Sequence, residues 1–495
     1  MLRPVLYARS SIIFLNLRYL RGRLIAFRMD FITNCFSWTR RVCIVTSRIR
    51  RGGRVVLTKR IVSRLKLSTS SLLVAGAVAI VVQLGAAAND DPPKTARYYR
   101  QQAAAAYKSK DYAAAIDNLN KALELIPDHP TLFYKLAAIS ALQGKKAESI
   151  AFLSAVAKMG LTLHPERDSD FDPIKDSAEF KEILKRLESN KTPIVRSSPA
   201  FTIHEKGLVT EGLAYDPVDE SFFVSSIHKR KILHVSKSGK VTTLATEQDG
   251  LWSVLGMKVD PARRVLWVTS TAFPQMVNFR KQEEGSSAVF KFDLKNGKLV
   301  KRYLVPDASK PHALGDLTIE SNGDVFSTDS LTPAVYVIRP NKDEIELLLE
   351  NEGFVSPQGL AFSSDERHLF MADYSTGLFD IDVKTRTVAH LPPLSGATLL
   401  GIDGLYFYNG CLIGVQNGVA PQRVVRLRLT KDLKRVERCE VLEANNPLFD
   451  EPTLGALVND YFYFIANSQW GLVDDKAQLG PAGKLADPII LKIRL

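Results

Sequence analysis

The sequence of 495 residues lacks the short motifs that mark several large enzyme classes. It contains no phosphate-binding glycine loop, no His-Glu-x-x-His, no Cys-x-x-Cys and no Gly-x-Ser-x-Gly. Nucleotide-dependent, zinc-dependent and serine-hydrolase chemistry are therefore disfavoured.

Cysteine is also scarce, with four residues in the whole chain. Cys35 and Cys43 fall in the basic leader described below, whereas Cys411 and Cys439 fall in the predicted second and fourth strands of one sheet. Two strand spacings, about 9 to 10 Å, are too wide for a disulfide bond. The sequence therefore predicts that these two cysteines are unpaired.

Acidic residues are almost absent from the first 89 residues, where 16 Lys and Arg accompany a single acid, Asp30. The remaining chain holds 50 basic and 52 acidic residues, so the formal charge of +13 belongs to this leader. The rest of the chain is nearly neutral, so it lacks the excess of positive charge that binding a polyphosphate such as nucleic acid requires. Nucleic acid is therefore not an expected partner.

A short apolar segment, Ser71 to Ala88, follows the basic residues and ends in an Ala-x-Ala site. This order favours a cleaved signal peptide. The alternative is an uncleaved membrane anchor, because Leu72 to Ala88 approaches the length needed to span a bilayer. Either reading predicts an exported protein, periplasmic or secreted, and only the signal-anchored form would contact a membrane. Residues 1–55 lack a globular pattern, which indicates a start codon placed too far upstream; the alternative is an unusually long n-region of the signal peptide.

Apolar and small residues recur at helical spacing from Ala96 to His129. This pattern of 34 residues resembles a tetratricopeptide repeat, in which two helices touch through small residues and a proline, here Pro127, ends the second. A second copy runs from Pro130 to about Gly160. The resemblance implies a concave face that holds a protein partner; the alternative is a short helical cap or spacer.

An amphipathic helix predicted from Asp176 to Leu187 would cap these two copies. The acidic segment before it, Asp168 to Asp172 with Glu179, imitates a calcium-binding loop, but Pro173 occupies the position that requires glycine. We therefore interpret its Asp and Ser residues as caps of a short helix.

Between residues 200 and 495 one short sequence motif occurs six times: an apolar run, a tight turn and a second apolar run. Its copies are 43 to 60 residues apart, a period typical of propeller blades. The copies are GLAYDP from Gly212, GMKVDP from Gly256, DLTIES from Asp316, GLAFSS from Gly359, GLYFYN from Gly404 and GALVND from Gly455. Because a four-stranded sheet cannot bury both faces alone, the repeats predict an all-β six-bladed propeller.

The chain ends on Pro488 to Leu495, which has the pattern of a third strand that lacks a fourth. Phe201 to His204, ahead of the first blade, could supply that strand and close the ring. The predicted protein is thus multidomain. Its parts are a basic leader and signal peptide over 1–88, an α-helical module over 93–187, a linker over 188–199 and the propeller over 200–495.

Three motifs within the repeats carry a resemblance: Glu211-Gly-Leu-Ala-Tyr, Pro357-Gln-Gly-Leu-Ala-Phe and Ile402-Asp-Gly-Leu. Together with six blades, they resemble the gluconolactonase and senescence-marker-protein family, and more distantly paraoxonases and strictosidine-synthase-like propellers. This resemblance implies a divalent cation, often calcium, held on the axis by one Glu, two Asn and one Asp.

Half of that ligand set is intact. Glu211 and Asp403 match it, and Gln358 replaces one Asn. Gly315 replaces the other and has no side chain to bind a metal, but Asp316 beside it could act as the ligand. The residues that open the innermost strands should converge on the channel, so two carboxylates and an amide oxygen would repel one another unless a hard cation bound there. The alternative is that the carboxylates accept hydrogen bonds from strand-end amides and water.

The resemblance gives Asp403 the double role of ligand and general base. A bound cation would polarise a lactone carbonyl while a carboxylate activates water. The predicted function is an exported, metal-dependent, lactonase-like hydrolase of a small cyclic ester. The alternative is a noncatalytic propeller that binds a small-molecule ligand or a protein, with a helical module that recruits a partner.

Loops that follow the second strands should rim the same end of the channel. Small polar and aromatic residues there suit a modest hydroxylated or cyclic ligand. The candidate pocket residues are His228, His312, Phe273, Asp329, Asp373, Tyr374, Asn417 and Trp470. The alternatives are ordinary strand-end capping for the polar residues and exposed or strand-end positions for the histidines.

Overall fold

A computed structural model describes residues 44–51, 54–61 and 95–495. The predicted signal peptide, Cys35 and Cys43 lie outside these residues. The chain divides into two compact units, Met1–Pro93 and Lys94–Leu495. In the first unit, strands β1 (Ile44–Arg51) and β2 (Arg54–Ile61) form an antiparallel pair. No helix among the described residues is long and apolar enough to cross a bilayer.

Five α-helices open the second unit. They are α1 (Ala96–Lys108), α2 (Tyr112–Leu125), α3 (Pro130–Leu142), α4 (Lys146–Lys158) and α5 (Ala178–Ser189). One core, which includes Ala103, Ala115 and Leu136, joins α1 and α2 to α3. A second core joins α3, α4 and α5 through Leu153 and Phe180. The helices are confirmed, and their assignment to the tetratricopeptide class stays a prediction.

The acidic segment between α4 and α5 caps helices, as its sequence predicts. The Asp168 side chain accepts the Asp170 N–H at 3.1 Å and begins a 3₁₀ helix over Ser169–Phe171. Ser177 likewise accepts the Phe180 N–H at 3.3 Å and caps α5. The interpretation as helix caps is confirmed.

Six antiparallel four-stranded sheets follow the helices. Blade one is β4 (Leu213–Asp216), β5 (Ser221–Ser226), β6 (Lys231–Val235) and β7 (Val241–Ala245). Blade two is β8 (Ser253–Asp260), β9 (Val265–Thr271), β10 (Ser287–Asp293) and β11 (Leu299–Leu304). Blade three is β12 (Leu314–Ile319), β13 (Val325–Asp329), β14 (Ala334–Ile338) and β15 (Ile345–Glu350).

The remaining blades complete the six-bladed propeller that the repeats predict. Blade four is β16 (Pro357–Phe362), β17 (Leu369–Asp373), β18 (Gly377–Asp382) and β19 (Thr387–His390). Blade five is β20 (Leu405–Tyr408), β21 (Cys411–Gln416), β22 (Arg423–Leu429) and β23 (Val436–Ala444). Blade six is β24 (Gly455–Val458), β25 (Tyr461–Ile465), β26 (Ile489–Arg494) and β3 (Ser198–Thr202).

Blade six closes the ring by combining the end of the chain with a strand that precedes blade one. Strand β3 pairs with β26, and Thr202 lies opposite Ile489. The predicted closure is confirmed, although β3 begins three residues earlier than the predicted segment at Phe201. Cys411 and Cys439 lie on β21 and β23 and are both free, as predicted.

Apolar side chains between neighbouring blades form the core of the propeller. One cluster joins Phe223 of blade one to Phe290 of blade two, and another joins Tyr406 of blade five to Phe462 of blade six. Each sheet therefore buries both faces against its neighbours. The innermost strands are left with their ends on the axis, where polar side chains have room.

Candidate functional site

Four residues at the start of inner strands form what we call the axial ring: Glu211, Gly315, Gln358 and Asp403. Their backbone carbonyl groups accept hydrogen bonds from the preceding blade. The bonds run from Thr269 Oγ1 to Gly315 O at 2.8 Å, from Thr328 Oγ1 to Gln358 O at 2.7 Å, from Gly359 N to Asp403 O at 2.8 Å and from Leu454 N to Glu211 O at 3.2 Å. The backbone of each of these four ring residues is thus fixed by a contact between blades.

Glycine follows the ring residue in most repeats because the blades approach closely there. A Cβ atom on Gly212 would lie 2.1 Å from the carbonyl oxygen of Leu255, and one on Gly359 would lie 2.6 Å from that of Asp403. No side chain fits in such gaps. The glycine of the repeated motif therefore allows the backbones of neighbouring blades to approach each other at the ring.

Glu211 and Asp403, which are far apart in sequence, meet at this ring. Burial, and then the charge of Asp403, raises the pKa of Glu211 well above its ordinary value. Burial likewise raises the pKa of Asp403 to about 7, and the carboxylates of Asp316 and Glu451 add to the effect. Their charges interact, so the ring concentrates carboxylates that resist ionising together. These shifts agree with the predicted approach of Glu211 to Asp403, which stays a prediction.

Asp403 is held by a chain of polar side chains. The Asn417 amide donates to Asp403 Oδ2 at 2.8 Å and to the carbonyl oxygen of Pro452 at 3.0 Å. The Tyr374 hydroxyl donates to Asn417 Oδ1 at 3.0 Å. These contacts orient the Asp403 carboxylate, and the Asn417 bond partly opposes the rise in the pKa of Asp403. Two predicted pocket residues, Tyr374 and Asn417, thus lie beside Asp403, and their role in a pocket stays a prediction.

Trp470 and Phe273 form an aromatic wall beside Glu211. The indole N–H of Trp470 donates to Glu211 Oε2 at 2.8 Å. Its ring meets Phe273 edge to face, with centroids 6.0 Å apart, and both pack in an apolar cluster with Leu255. Both residues were predicted as walls, and the structure places them next to the ring.

A lysine and a tyrosine meet further along the inner strands. Lys258 Nζ lies 4.6 Å from the centre of the Tyr406 ring, although the two residues belong to opposite blades, two and five. Its ammonium also opposes the rise in the pKa of Asp316, which burial causes. One oxygen of Asp316 accepts the Leu317 N–H at 2.8 Å, and the other has no hydrogen-bond partner.

The oxygen donors of the ring fit a hard cation. Glu211, Gln358 and Asp403 supply carboxylate and amide oxygens, the ligands that calcium prefers. Gly315 supplies none, but a Cβ atom there would lie 3.2 Å from Gln358 Oε1, so the longer glutamine arm lies over the gap. Among the described residues, no group of three or more His, Cys, Asp and Glu could hold a metal ion. A cation here would therefore need amide and water oxygens besides its carboxylates.

The two predicted histidines are engaged with loop backbone. His228 Nδ1 lies 2.7 Å from the carbonyl oxygen of Gln275, and the ring is buried. His312 is also buried, with Nδ1 at 2.5 Å from Asp329 Oδ2 and Nε2 at 2.6 Å from the carbonyl oxygen of Asp307. Both nitrogens of His312 are thus committed to local partners.

The two aspartates predicted at second-strand ends clamp their loops. Asp373 accepts four backbone N–H groups, at distances of 2.7 to 3.0 Å. Asp329 accepts three, from Ala313, Leu331 and Thr332, at 2.9 to 3.1 Å. Both carboxylates are fully buried. They fix the loops at the rim of the channel, as the alternative interpretation of ordinary strand-end capping predicts.

Three residues near the axis were not predicted from the sequence: Lys258, Tyr406 and Glu451. The third residue of the motifs GLAYDP and GLAFSS, in blades one and four, is alanine, whereas the third residue of GMKVDP is Lys258 and that of GLYFYN is Tyr406. Glu451 lies two residues before Thr453, which occupies the ring position of blade six, and burial raises the pKa of Glu451. A bulky polar residue among alanines was the available signal.

No family model matches the chain, and no curated protein matches it. Similar solved structures include a gluconolactonase from Xanthomonas campestris (15% identity, 60% of this chain and 95% of that chain, TM-score 0.40). They also include virginiamycin B lyase from Staphylococcus aureus (15%, 60% and 98%, 0.41) and an aldose sugar dehydrogenase from Streptomyces coelicolor (14%, 61% and 99%, 0.41). At such identities and TM-scores the similarity carries no argument about activity.

Proposed function

We propose that the axial ring is the active site of a lactonase-like hydrolase that opens a small cyclic ester. The observation that carries this proposal is the Asp403 carboxylate, which the Asn417 amide holds at 2.8 Å in the ring that also contains Glu211. A carboxylate held in one orientation can accept a proton from a water molecule beside it.

Asp403 would act on water within the polar ring. It takes a proton from the water molecule whose oxygen attacks the ester carbonyl. The ring C–O bond of the ester then breaks, and Asp403 returns the proton to the leaving alkoxide. Asn417 and Tyr374 keep the carboxylate oriented through these two transfers, and the Trp470 and Phe273 wall packs against the apolar part of the substrate.

Glu211, Gln358 and Asp403 would hold a divalent cation, most suitably calcium, with water completing its shell. When bound, it would polarise the ester carbonyl and offset the repulsion between carboxylates. Asp316 is less suited as a ligand, because one oxygen is bonded to the Leu317 N–H and the Lys258 ammonium acts on the same carboxylate.

A panel of lactones, assayed with calcium and with a chelator, tests the proposal. The Asp403→Asn variant should lose at least about 100-fold in turnover, as expected for removal of a general base. Asp460→Asn is the control, since that carboxylate accepts only the Tyr408 hydroxyl and lies at the exposed turn between β24 and β25. Turnover by Asp403→Asn at the wild-type rate, or no hydrolysis of any lactone by the wild type, would reject the proposal.

A noncatalytic ligand-binding propeller is the second candidate, with the helical module recruiting a protein partner. It is favoured by Gly315, which leaves one ring position without a side chain, and by His312, whose two nitrogens are both engaged. Binding of a lactone without turnover would support it. In both cases we propose that the chain is exported to the periplasm or secreted, as its apolar Ser71–Ala88 segment suggests.

A further inference from the structure

Arg423 carries a charge deep inside the second unit. It begins β22 and is only 2% exposed. The ion pairs within residues 95–495 do not include it, and its Nη2 atom has no hydrogen-bond partner. Burial accordingly lowers the pKa of Arg423. A buried guanidinium without a carboxylate is costly, so the contacts it does make require an explanation.

Those contacts join two parts of the fold. Arg423 Nη1 donates to the carbonyl oxygen of Met159 at 2.9 Å, at the end of α4. Arg423 Nε donates to Gln416 Oε1 at 2.6 Å, at the end of β21. One fully buried side chain therefore bonds the helical module to blade five.

Gln416 extends this connection to the axial ring. Its amide nitrogen donates to the carbonyl oxygens of Thr398 at 2.9 Å and Leu400 at 2.6 Å. Residues 398–400 lead directly into Asp403, and Gln416 directly precedes Asn417. The two loops that position the Asp403–Asn417 pair thus share one buried hydrogen-bond network.

The helical module covers the same two loops with apolar contacts. Leu400 packs against Ala96 and Ile126 of the module. On the other loop, Val419 packs against Met159 and neighbouring residues, and the Thr162 N–H donates to the carbonyl oxygen of Ala420 at 2.7 Å. The module therefore contacts the propeller where the site loops emerge.

We propose that Arg423 is a positioning residue that fixes the Asp403 and Asn417 loops to the helical module, so that the module is part of the axial site. This inference rests on the proposed function only in naming these two residues as the reacting pair. The physical linkage of the module to the loops stands on the contacts themselves.

Hydrogen exchange of the full chain, followed by mass spectrometry, tests the linkage without any substrate. In Arg423→Gln, amides of residues 398–403 and 417–420 should exchange at least about tenfold faster, whereas those of β10 should be unchanged. Arg264→Gln is the matched control: Arg264 is a largely buried arginine that bonds Asp216 at 2.6 Å and joins blades one and two. It should leave residues 398–403 at the wild-type rate.

If Arg423→Gln does not fold, the variant Gln416→Glu tests the same hydrogen-bond network. It keeps an acceptor for Arg423 and gives it a charged partner, but removes both donors to the 398–400 loop. Faster exchange of residues 398–403 is expected in this variant too. Wild-type protection of that segment in either folded variant would overturn the inference, whatever the lactone assays show.

The catalytic readout separates this inference from the proposed function. If the wild type hydrolyses a lactone, Gln416→Glu should lower kcat about tenfold and leave KM within about twofold, as for loss of orientation. An unchanged kcat would contradict positioning by this network. If the wild type hydrolyses none, the proposed function fails, and the exchange rates alone decide the linkage.

Discussion

The ammonium of Lys258 lies over the face of the Tyr406 ring, 4.6 Å from its centre, and so connects opposite blades across the propeller axis. The Gly455 N–H donates to the Tyr406 hydroxyl at 2.6 Å, which fixes the ring from the side of blade six. A fixed positive charge is thereby placed near the axial carboxylates. It opposes the rise in the pKa of Asp316 but does not neutralise the pair formed by Glu211 and Asp403.

Removing this ammonium should strengthen cation binding at the ring. In Lys258→Met, the calcium dissociation constant should fall about fivefold, since one unscreened charge interaction near a protein surface is worth on the order of 1 kcal/mol or more. Calorimetric titration with calcium chloride measures the change. Lys291→Met is the control, because Lys291 Nζ lies 5.2 Å from the Trp267 ring in an outer part of blade two. Equal affinity in the two variants would contradict the electrostatic role.

The raised pKa of Asp403 predicts how stability depends on pH. Its pKa is about 7 in the folded protein and about 4 in the unfolded chain, so the folded state holds the extra proton between these values. Stability should therefore fall as pH rises from 4 to 7, by up to about 1.4 kcal/mol per pH unit from this group. Chemical denaturation at several pH values measures it.

Asp403→Asn provides the comparison for that slope. The variant has no carboxylate at this position and also relieves Glu211 of a neighbouring charge. Its stability should therefore decline less between pH 4 and 7 than that of the wild type. Saturating calcium should flatten the wild-type curve, since the cation favours the ionised carboxylates. Parallel curves for the two proteins would show that Asp403 titrates normally.

The Trp470–Glu211 hydrogen bond should matter most when Glu211 is ionised. Trp470→Phe keeps an aromatic ring against Phe273 but removes the indole donor, which now opposes the rise in the pKa of Glu211. A hydrogen bond to a charged group is worth about 1.5 to 3 kcal/mol, and one to a neutral group about 1 kcal/mol. The loss of stability should thus be larger at a pH high enough to ionise Glu211 than at pH 5. Trp267→Phe, a buried truncation on β9, should cost the same at both pH values.

Turn chemistry made much of the propeller predictable from sequence. Strands β5 and β7 begin after turns that the sequence marks, at Asp219-Glu220 and at Ser238-Gly239. The Asn409-Gly410 turn has both residues at positive φ, 47° and 74°, as a tight hairpin requires. The repeats, together with the family resemblance, predicted that Glu211 and Asp403 converge on the axis.

Side-chain direction explains what the sequence did not predict. Asp329 and Asp373 stand at strand ends like true pocket residues, but their oxygens turn to the amides of their own loops. Strand position does not determine which way a terminal side chain points. The Lys258–Tyr406 contact joins repeats that are three blades apart, so no local pattern in either repeat contains it.

Close approach of blades four and five should make Gly359 intolerant of any side chain. A Cβ atom there would lie 2.4 Å from the Leu405 amide nitrogen and 2.6 Å from the Asp403 carbonyl oxygen, both backbone atoms that cannot move without shifting the ring. Gly359→Ala should therefore destabilise the protein by about 3 kcal/mol, as overpacking of a tight interior does. Because the Gly359 N–H holds the Asp403 carbonyl at 2.8 Å, calcium affinity should fall as well. Gly471→Ala is the matched control, since its Cβ would meet nothing within 4 Å. Denaturation midpoints and calcium titrations measure both effects, and wild-type stability in Gly359→Ala would show that the ring is looser than its backbone contacts indicate.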